Sequence, residues 1–416
     1  MSPTLTEFEP VETSEIRLRW GRFLFERMNN KNRLKMKRGV GKQGLLLLCA
    51  LLLLRIGGSC TVSDQKRFTP GEVWQDEQGV AINAHGGGIL LVGDTYYWFG
   101  EHKEAGKEGL AKQGVHCYSS KNLYDWKDEG IALAVSEEPG SPIEKGCILE
   151  RPKVIYNAKT SKYVMWFHLE PKGASYSGAM GGVAVSDRPT GPYTFLHAGR
   201  HNAGCWPINV QEVHQQGVPE AALQRFGGGS LPAHPDSLNL LGRDFEGGQM
   251  ARDMNLFVDE DGKAYLIHSS EENSTLHIAE LTEDYTACSG RFARFFPGRF
   301  MEAPALFKQE GKYYLIMSGC TGWAPNAGRS AVASSIWGPW QELENPFMGA
   351  DSETSFHSQS TYVLPVPGKP GQFIYMGDRW NPENLIDSRY IWLPLTLEGD
   401  QPVITWRDQW NYTDEK

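Results

Sequence analysis

Two glutamates stand out by the company they keep. Glu302 lies in Met301-Glu302-Ala303-Pro304-Ala305, between apolar and small residues beside a strand-like run. Desolvation in such a place raises a carboxyl's pKa and suits it to deliver a proton at neutral pH. Glu150 opens Glu150-Arg151-Pro152-Lys153-Val154-Ile155-Tyr156, again next to Pro and a strand with a buried look. More acids follow in Arg252-Asp253-Met254-Asn255 and in Ser270-Glu271-Glu272-Asn273, flanking a third strand. For each acid alone a surface charge or a salt bridge is the simpler account. Glu150 and Glu302 survive it, because a solvated charge is not expected between Pro and a buried strand. Brought together, such acids form an acid–base site.

Other side chains suit a ligand. Trp323 in Gly319-Cys320-Thr321-Gly322-Trp323-Ala324-Pro325, and Tyr176 in a Gly/Ser loop, offer aromatic faces beside small residues, able to stack on sugar rings. Asn83-Ala84-His85 precedes three glycines, Gly86 to Gly88, which let backbone come close to a ligand or to another strand. There is no HExxH, no GxSxG elbow and no P-loop; Gly39-Val-Gly-Lys42 lacks the spacing. Gly178-Ala-Met-Gly-Gly182 is not framed by a βαβ pattern, so no dinucleotide site is expected. The 11 His are dispersed, and Cys117, Cys147, Cys205, Cys288 and Cys320 show no CxxC spacing. No metal or cofactor is expected.

These residues need a scaffold that gathers them, and the pattern from residue 70 onward supplies one. An aromatic-rich strand recurs in Gly93-Asp-Thr-Tyr-Tyr-Trp-Phe99, Ser161-Lys-Tyr-Val-Met-Trp-Phe167 and Asp261-Gly-Lys-Ala-Tyr-Leu-Ile267. It returns in Glu310-Gly-Lys-Tyr-Tyr-Leu-Ile316 and Gly371-Gln-Phe-Ile-Tyr375. Asp-Gly-Lys and Glu-Gly-Lys are hairpin turns, and β-branched and aromatic residues follow them. Taking Tyr96, Tyr163, Tyr265, Tyr313 and Phe373 as markers, the intervals are 67, 102, 48 and 60 residues. Five similar all-β units at unequal spacing predict a five-bladed β-propeller over 70–416, with residues 200–250 inserted over one face. A β-sandwich or jelly roll is the alternative. Acids at the inner ends of different blades would then converge near the central axis.

Composition narrows the partner. The chain has 416 residues, 40% hydrophobic and 11% aromatic, with 46 Gly and 24 Pro, which excludes disorder and a coiled coil. Residues 1–60 carry 11 Lys/Arg against 5 Asp/Glu; the other 356 carry 30 against 45. So acidic a body is a poor match for nucleic acid and is compatible with a neutral glycan. At the N-terminus, Lys37-Arg38, the run Leu45–Leu54 and Gly57-Gly58-Ser59-Cys60 read as a signal peptide over 36–60. Its end is similar to a bacterial lipoprotein box with Cys60 as the lipidated residue, although Gly57 and Arg55 depart from the usual pattern. Residues 1–35 read as an extension upstream of Met36, the expected start. The expectation is an exported, periplasmic or surface-anchored bacterial lipoprotein, monomeric, acting on a polysaccharide or oligosaccharide.

The ordered phrases INAHGGGIL, YYWFGEHK, ERPKVIYN, RDMNLF, EAPALF, SGCTGW and FHSQSTYV together resemble glycoside hydrolase family 43, clan F five-bladed propellers, nearest the exo-β-1,3-galactanase branch. The resemblance runs from about residue 75 to the C-terminus and implies hydrolysis of glycosidic bonds with inversion. It makes Glu302 the general acid and Glu150 the acid that orients it and tunes its pKa. Asn83-Ala84-His85 stands where the family's usual Asp base is found, so that base is missing. In the galactanase branch a Gln matching Gln359 is thought to hold the nucleophilic water, through an imidic-acid tautomer; Glu101 acting through a water is the rival. Glu101, Tyr176, Asp253, Glu272, Asn273, Thr321 and Trp323 are implied to line the sugar site. Another family 43 specificity (β-galactosidase or α-L-arabinofuranosidase) and a decayed surface glycan-binding lipoprotein are the alternatives.

Overall fold

The computed structural model describes residues 66–413, apart from Gly228 and Pro367. The expected extension over 1–35, the signal peptide over 36–60 and Cys60 lie outside the described residues. Strands form five antiparallel sheets in chain order. Blade 1 is β1 (His85–Val92), β2 (Thr95–Glu101), β3 (Gly114–Ser120) and β4 (Lys127–Ala134). Blade 2 is β5 (Ile148–Asn157), β6 (Lys162–Glu170), β7 (Met180–Ser186) and β8 (Thr194–Gly199). Blade 3 is β9 (Met254–Val258), β10 (Ala264–Ser270), β11 (Thr275–Leu281) and β12 (Cys288–Phe295). Blade 4 is β13 (Glu302–Gln309), β14 (Lys312–Ser318), β15 (Arg329–Ala333) and β16 (Gln341–Leu343). Blade 5 is β18 (Gln359–Pro365), β19 (Phe373–Arg379), β20 (Arg389–Glu398) and β21 (Gln401–Thr405), with the two-residue β17 (Phe347–Met348) added in parallel to β21.

The expected propeller is what forms. The first strands β1, β5, β9, β13 and β18 touch in that order and β18 returns to β1, which closes the ring. Each aromatic marker lies on the second strand of its blade, next to the inner one. Both faces of a blade lie against neighbouring blades, so these strands are apolar on both sides. Five separate wedges of buried side chains fill the gaps between blades, rather than one central core. The wedge between blades 1 and 5 is the most aromatic and holds Phe68, Trp98, Trp126, Trp392 and Trp410. Phe68 and Trp410 also exchange backbone hydrogen bonds of 2.8 and 3.1 Å, which ties the start of the described residues to the end of blade 5. At the hairpin turns Gly262 and Gly311 have φ of 78° and 77°, the left-handed conformation for which Gly was expected.

The segment between β8 and β9 is the expected insertion. It carries only single-turn helices, among them Glu212–Gln215, Glu220–Leu223, Pro235–Leu238 and Leu240–Arg243. These gather around a small cluster of Ala222, Leu238 and Leu240, with Phe226 and Leu231 packed against it. The five described cysteines are free thiols.

Candidate active site

One backbone device recurs where the inner strands begin. In β5 the register slips between Glu150 and Lys153, and Arg151 takes φ 56°. In β13 it slips between Glu302 and Ala305, with Ala303 at φ 51°. In β1 it slips between His85 and Gly88, with Gly86 at φ 59°. Blade 5 has its irregularity between Ser360 and Tyr362, just after Gln359. Such a bulge re-aims the residue beside it, and here it turns the strand ends towards a common cavity. The glycines of blade 1 serve close packing. A Cβ on Gly86 would lie 2.1 Å from Glu101 Oε1, and one on Gly88 would lie 2.7 Å from Lys153 Cδ.

The cavity encloses about 590 Å³ at one end of the ring. Glu302, Glu150, Gln359, Glu101, Tyr176, Asp253, Asn273, Thr321 and Trp323 all line it; Glu272 does not. Glu272 points away from the cavity, paired with Arg243 at 3.0 Å and Arg252 at 3.6 Å. Residues that sequence reasoning did not single out as lining include Lys103, Trp380 and Cys320, together with Arg225, Phe226 and Gly227 of the insertion. Trp323 and Trp380 stand edge to face at 5.5 Å and give the wall its aromatic surface.

Charge pairing separates the carboxyls. Glu101 meets Lys103 Nζ at 2.5 Å and accepts from the Arg151 backbone N–H at 2.9 Å. Burial raises its pKa, against the pull of Lys103. Asp253 meets Arg151 at 2.9 Å. Glu150 accepts from the Tyr176 hydroxyl at 2.9 Å and meets His168 at 3.2 Å; the other nitrogen of His168 meets Glu170 at 3.0 Å. Burial alone would raise Glu150, but the His168 hydrogen bond and the charge of Lys103 hold it down at about 2. Burial would likewise lower His168, yet its two carboxylate partners raise it to about 9.

Glu302 is different. Its hydrogen-bond partners are neutral: Asn273 Nδ2 at 3.2 Å, Cys320 Sγ at 3.4 Å and Gln359 Nε2 at 3.3 Å. Burial, and then the Asp253 charge, push its pKa up to about 8. At neutral pH the site therefore holds a protonated Glu302 and an ionised Glu150, two carboxyls driven apart by their surroundings.

Gln359 is held at every polar atom. Its Oε1 accepts from Arg151 at 2.5 Å and from Trp380 at 3.0 Å, and its Nε2 donates to Glu302 and to Ser318. Asn83 is tied elsewhere. Its amide exchanges two 2.8 Å hydrogen bonds with the Lys103 backbone, so it braces the loop that carries Lys103.

Asn273 reaches Glu302 from a strained corner. Glu271, Glu272 and Asn273 follow one another at φ 50°, 59° and 65°, a conformation that costs about 1–3 kcal/mol at each non-Gly residue. Arg294 grips Glu271 with two hydrogen bonds of 2.8 and 2.7 Å, and also meets Asp236 of the insertion at 2.7 Å. The insertion and the corner are thus clamped together behind the acid. Among the described residues, Glu150, His168 and Asp253 are the one group close enough to share a metal ion, within 4.8 Å. His168 is raised to about 9 by the same carboxylates, Glu150 and Glu170.

Comparison with known proteins finds glycoside hydrolases. The sequence model described as glycosyl hydrolases family 43 matches residues 237–361. A family 43 β-1,3-galactosidase solved with galactodeoxynojirimycin is 52% identical, covers 83% of this chain and 100% of its own, and has a TM-score of 0.78. An exo-β-1,3-galactanase from Phanerochaete chrysosporium, solved with β-1,3-galactotriose, is 34% identical over 83% of this chain and 68% of its own, with a TM-score of 0.66. A β-D-galactofuranosidase of Aspergillus niger is 26% identical over 130 residues, 31% of this chain and 37% of that protein. The match thus spans little more than a third of that relative's length.

Proposed function

This chain belongs to glycosyl hydrolase family 43, and we propose that it is an exported exo-β-1,3-galactanase that releases galactose from arabinogalactan-type chains with inversion. One observation carries the reading. Glu302 is the cavity carboxyl that faces only neutral donors, and with its pKa at about 8 it holds a proton where a leaving sugar oxygen needs one. In the proposed step Glu302 gives its proton to the glycosidic oxygen as the bond to the leaving sugar breaks, and water adds to the anomeric carbon from the opposite face; the proton that this water sheds passes to solvent, from which Glu302 is reprotonated. Glu150, held ionised by His168 and Tyr176, stays an anion and orients the sugar and the acid. Tyr176, Asp253, Asn273, Thr321 and Trp323 hold the galactosyl unit, with the tryptophan face against the apolar side of the ring.

Gln359 is the residue we assign to the water. An imidic-acid tautomer puts a proton on Oε1, where the Arg151 guanidinium already donates. That contact favours the ordinary amide, so Gln359 acts by position. Both oxygens of Glu101 are engaged, by Lys103 and by the Arg151 backbone, which supports a binding role for Glu101 over that of base. Arg225 and Phe226 of the insertion add one side to the cavity, and the exo action proposed for it follows the likeness to the exo-β-1,3-galactanases.

The test is turnover of β-1,3-galactobiose and longer oligomers by the wild type and by Glu302→Gln. Anomeric configuration is followed by NMR during the first minutes. Equal turnover by the variant removes Glu302 from the mechanism, and calorimetric binding of galactan without turnover by the wild type makes the protein a glycan-binding lipoprotein instead. Export rests on the pattern around Cys60 and is read separately, by palmitate labelling of the wild type against Cys60→Ala.

A further inference from the structure

We propose that a second, narrower chamber behind Gln359 is the route and the reservoir for the water that hydrolyses the sugar bond. The inference rests on the glycosidase reading above and adds to it a part that neither Glu302 nor Glu150 supplies. The chamber encloses about 290 Å³ and shares Gln359, Trp323 and Trp380 with the sugar cavity. Its rim is exposed, at Ala324, Pro325 and His357. Its floor is buried, at Ser318, Ser358 and Asp378, which are 4%, 4% and 2% exposed. It is therefore a shaft that runs from solvent to the far side of the Gln359 amide.

The floor is built for water. Asp378 Oδ2 accepts from the Gly86 N–H at 2.6 Å, but Oδ1 has no hydrogen-bond partner and only His85 Nδ1 at 3.6 Å for company. His85 is fully buried and makes no hydrogen bond at either nitrogen, and Arg379 Nε, on the same wall, makes none either. Buried polar groups left without a protein partner are normally satisfied by ordered water, and a polar space of this size has room for several molecules.

An inverting displacement needs its water on the ring face opposite the leaving oxygen. A galactosyl unit in the cavity takes up the space on one side of Gln359, while the second chamber reaches Gln359 from its other side. The shaft gives a separate way in. Gln359 forms the partition, and its contacts to Glu302 and Ser318, at 3.3 and 3.2 Å the longest it makes, are the ones that an arriving water would replace.

Two substitutions at the rim plug the shaft without touching the sugar cavity, Ala324→Trp and His357→Trp; neither residue lines that cavity. Each should lower kcat on β-1,3-galactobiose at least tenfold, while the Kd of a galactose-configured iminosugar stays within twofold of wild type. Unchanged kcat in both variants overturns the proposal. So does weaker affinity for galactotriose with kcat on the disaccharide intact, which makes the shaft a sugar subsite. A high-resolution crystal structure of the wild type is the independent reading. Ordered waters from Asp378 Oδ1 to Gln359 are expected, and a dry shaft refutes the proposal. If the wild type cleaves no β-1,3-galactoside, the substrate reading fails, and the crystal still decides the shaft.

Discussion

Replacing Asp253 by Asn should move the alkaline limb of kcat/KM towards acid. After burial, the Asp253 carboxylate is the largest influence that raises Glu302 to about 8. A neighbouring full charge shifts a carboxyl by roughly 1–3 units, upward when the charge is like. Asp253 shares its charge with Arg151 at 2.9 Å, so the low end applies, about one unit or ~1.4 kcal/mol. The freed guanidinium, which already pulls Glu302 down, works in the same direction. With the limb moved from about 8 to ~7, the protonated share of Glu302 at pH 7.5 drops from roughly three quarters to roughly one quarter, a threefold loss. At pH 5.5 both proteins keep the acid protonated, so any loss there measures substrate contact alone. The assay is kcat/KM for β-1,3-galactobiose from pH 5 to 9.5, which reports groups of the free enzyme. A limb that stays near 8 in Asp253→Asn, or moves up, refutes the electrostatic assignment of the acid.

The same linkage predicts stability. The folded pKa of Glu302 is raised, so its contribution is present below about 4.3 and is lost as pH rises through about 8; Glu302→Gln should melt with the wild type at pH 4.5 and above it at pH 9. His168 is also raised, to about 9, so its pairs with Glu150 and Glu170 stabilise the fold below about pH 6.5. His168→Gln should therefore cost on the order of 3 kcal/mol in denaturant titrations at pH 6, with the gap closing by pH 10. Arg294→Met leaves Glu271 buried without its cation and should cost about 3–5 kcal/mol. It should also lower kcat more than it raises KM, because the corner that carries Asn273 loosens; a variant equally stable and equally active removes the clamp from the account.

Local patterns were legible, and what depends on distant neighbours was not. The Gly-centred hairpins and aromatic strands announce five blades because each turn and each two-sided burial is written within about ten residues. Glu150 and Glu302 were legible for the same reason, through Pro and apolar neighbours. The bulges of blades 2 and 4 were not, because the left-handed residues behind them are Arg151 and Ala303, where no Gly marks the spot as Gly86 does in blade 1. Nor was the fate of Glu272. It shares its phrase with Asn273, but three successive left-handed residues send neighbouring side chains in different directions. Lys103 was within reach, because two residues after Glu101 is the same side of an extended chain. Trp380 and Phe226 reach the cavity only through the folding of a blade end and of the insertion.

The bulges also explain why the two acids differ in kind. Each turns a first-strand residue into the cavity, yet what that residue meets there is set by the blades beside it. Glu150 meets His168 from its own blade, on the strand paired with it, and so finds a cation at once. Glu302 pairs in register with Ser318 and meets Asn273 from blade 3 and Gln359 from blade 5, all neutral. Had either neighbour been Lys or Arg, Glu302 would be ionised at neutral pH and useless as a proton donor. His85 holds the corresponding place in blade 1, but it is fully buried and stacked on Tyr390 at 5.1 Å. Blade 1 therefore sends no base into the cavity from that position, which supports the proposal that Gln359, from blade 5, faces the water.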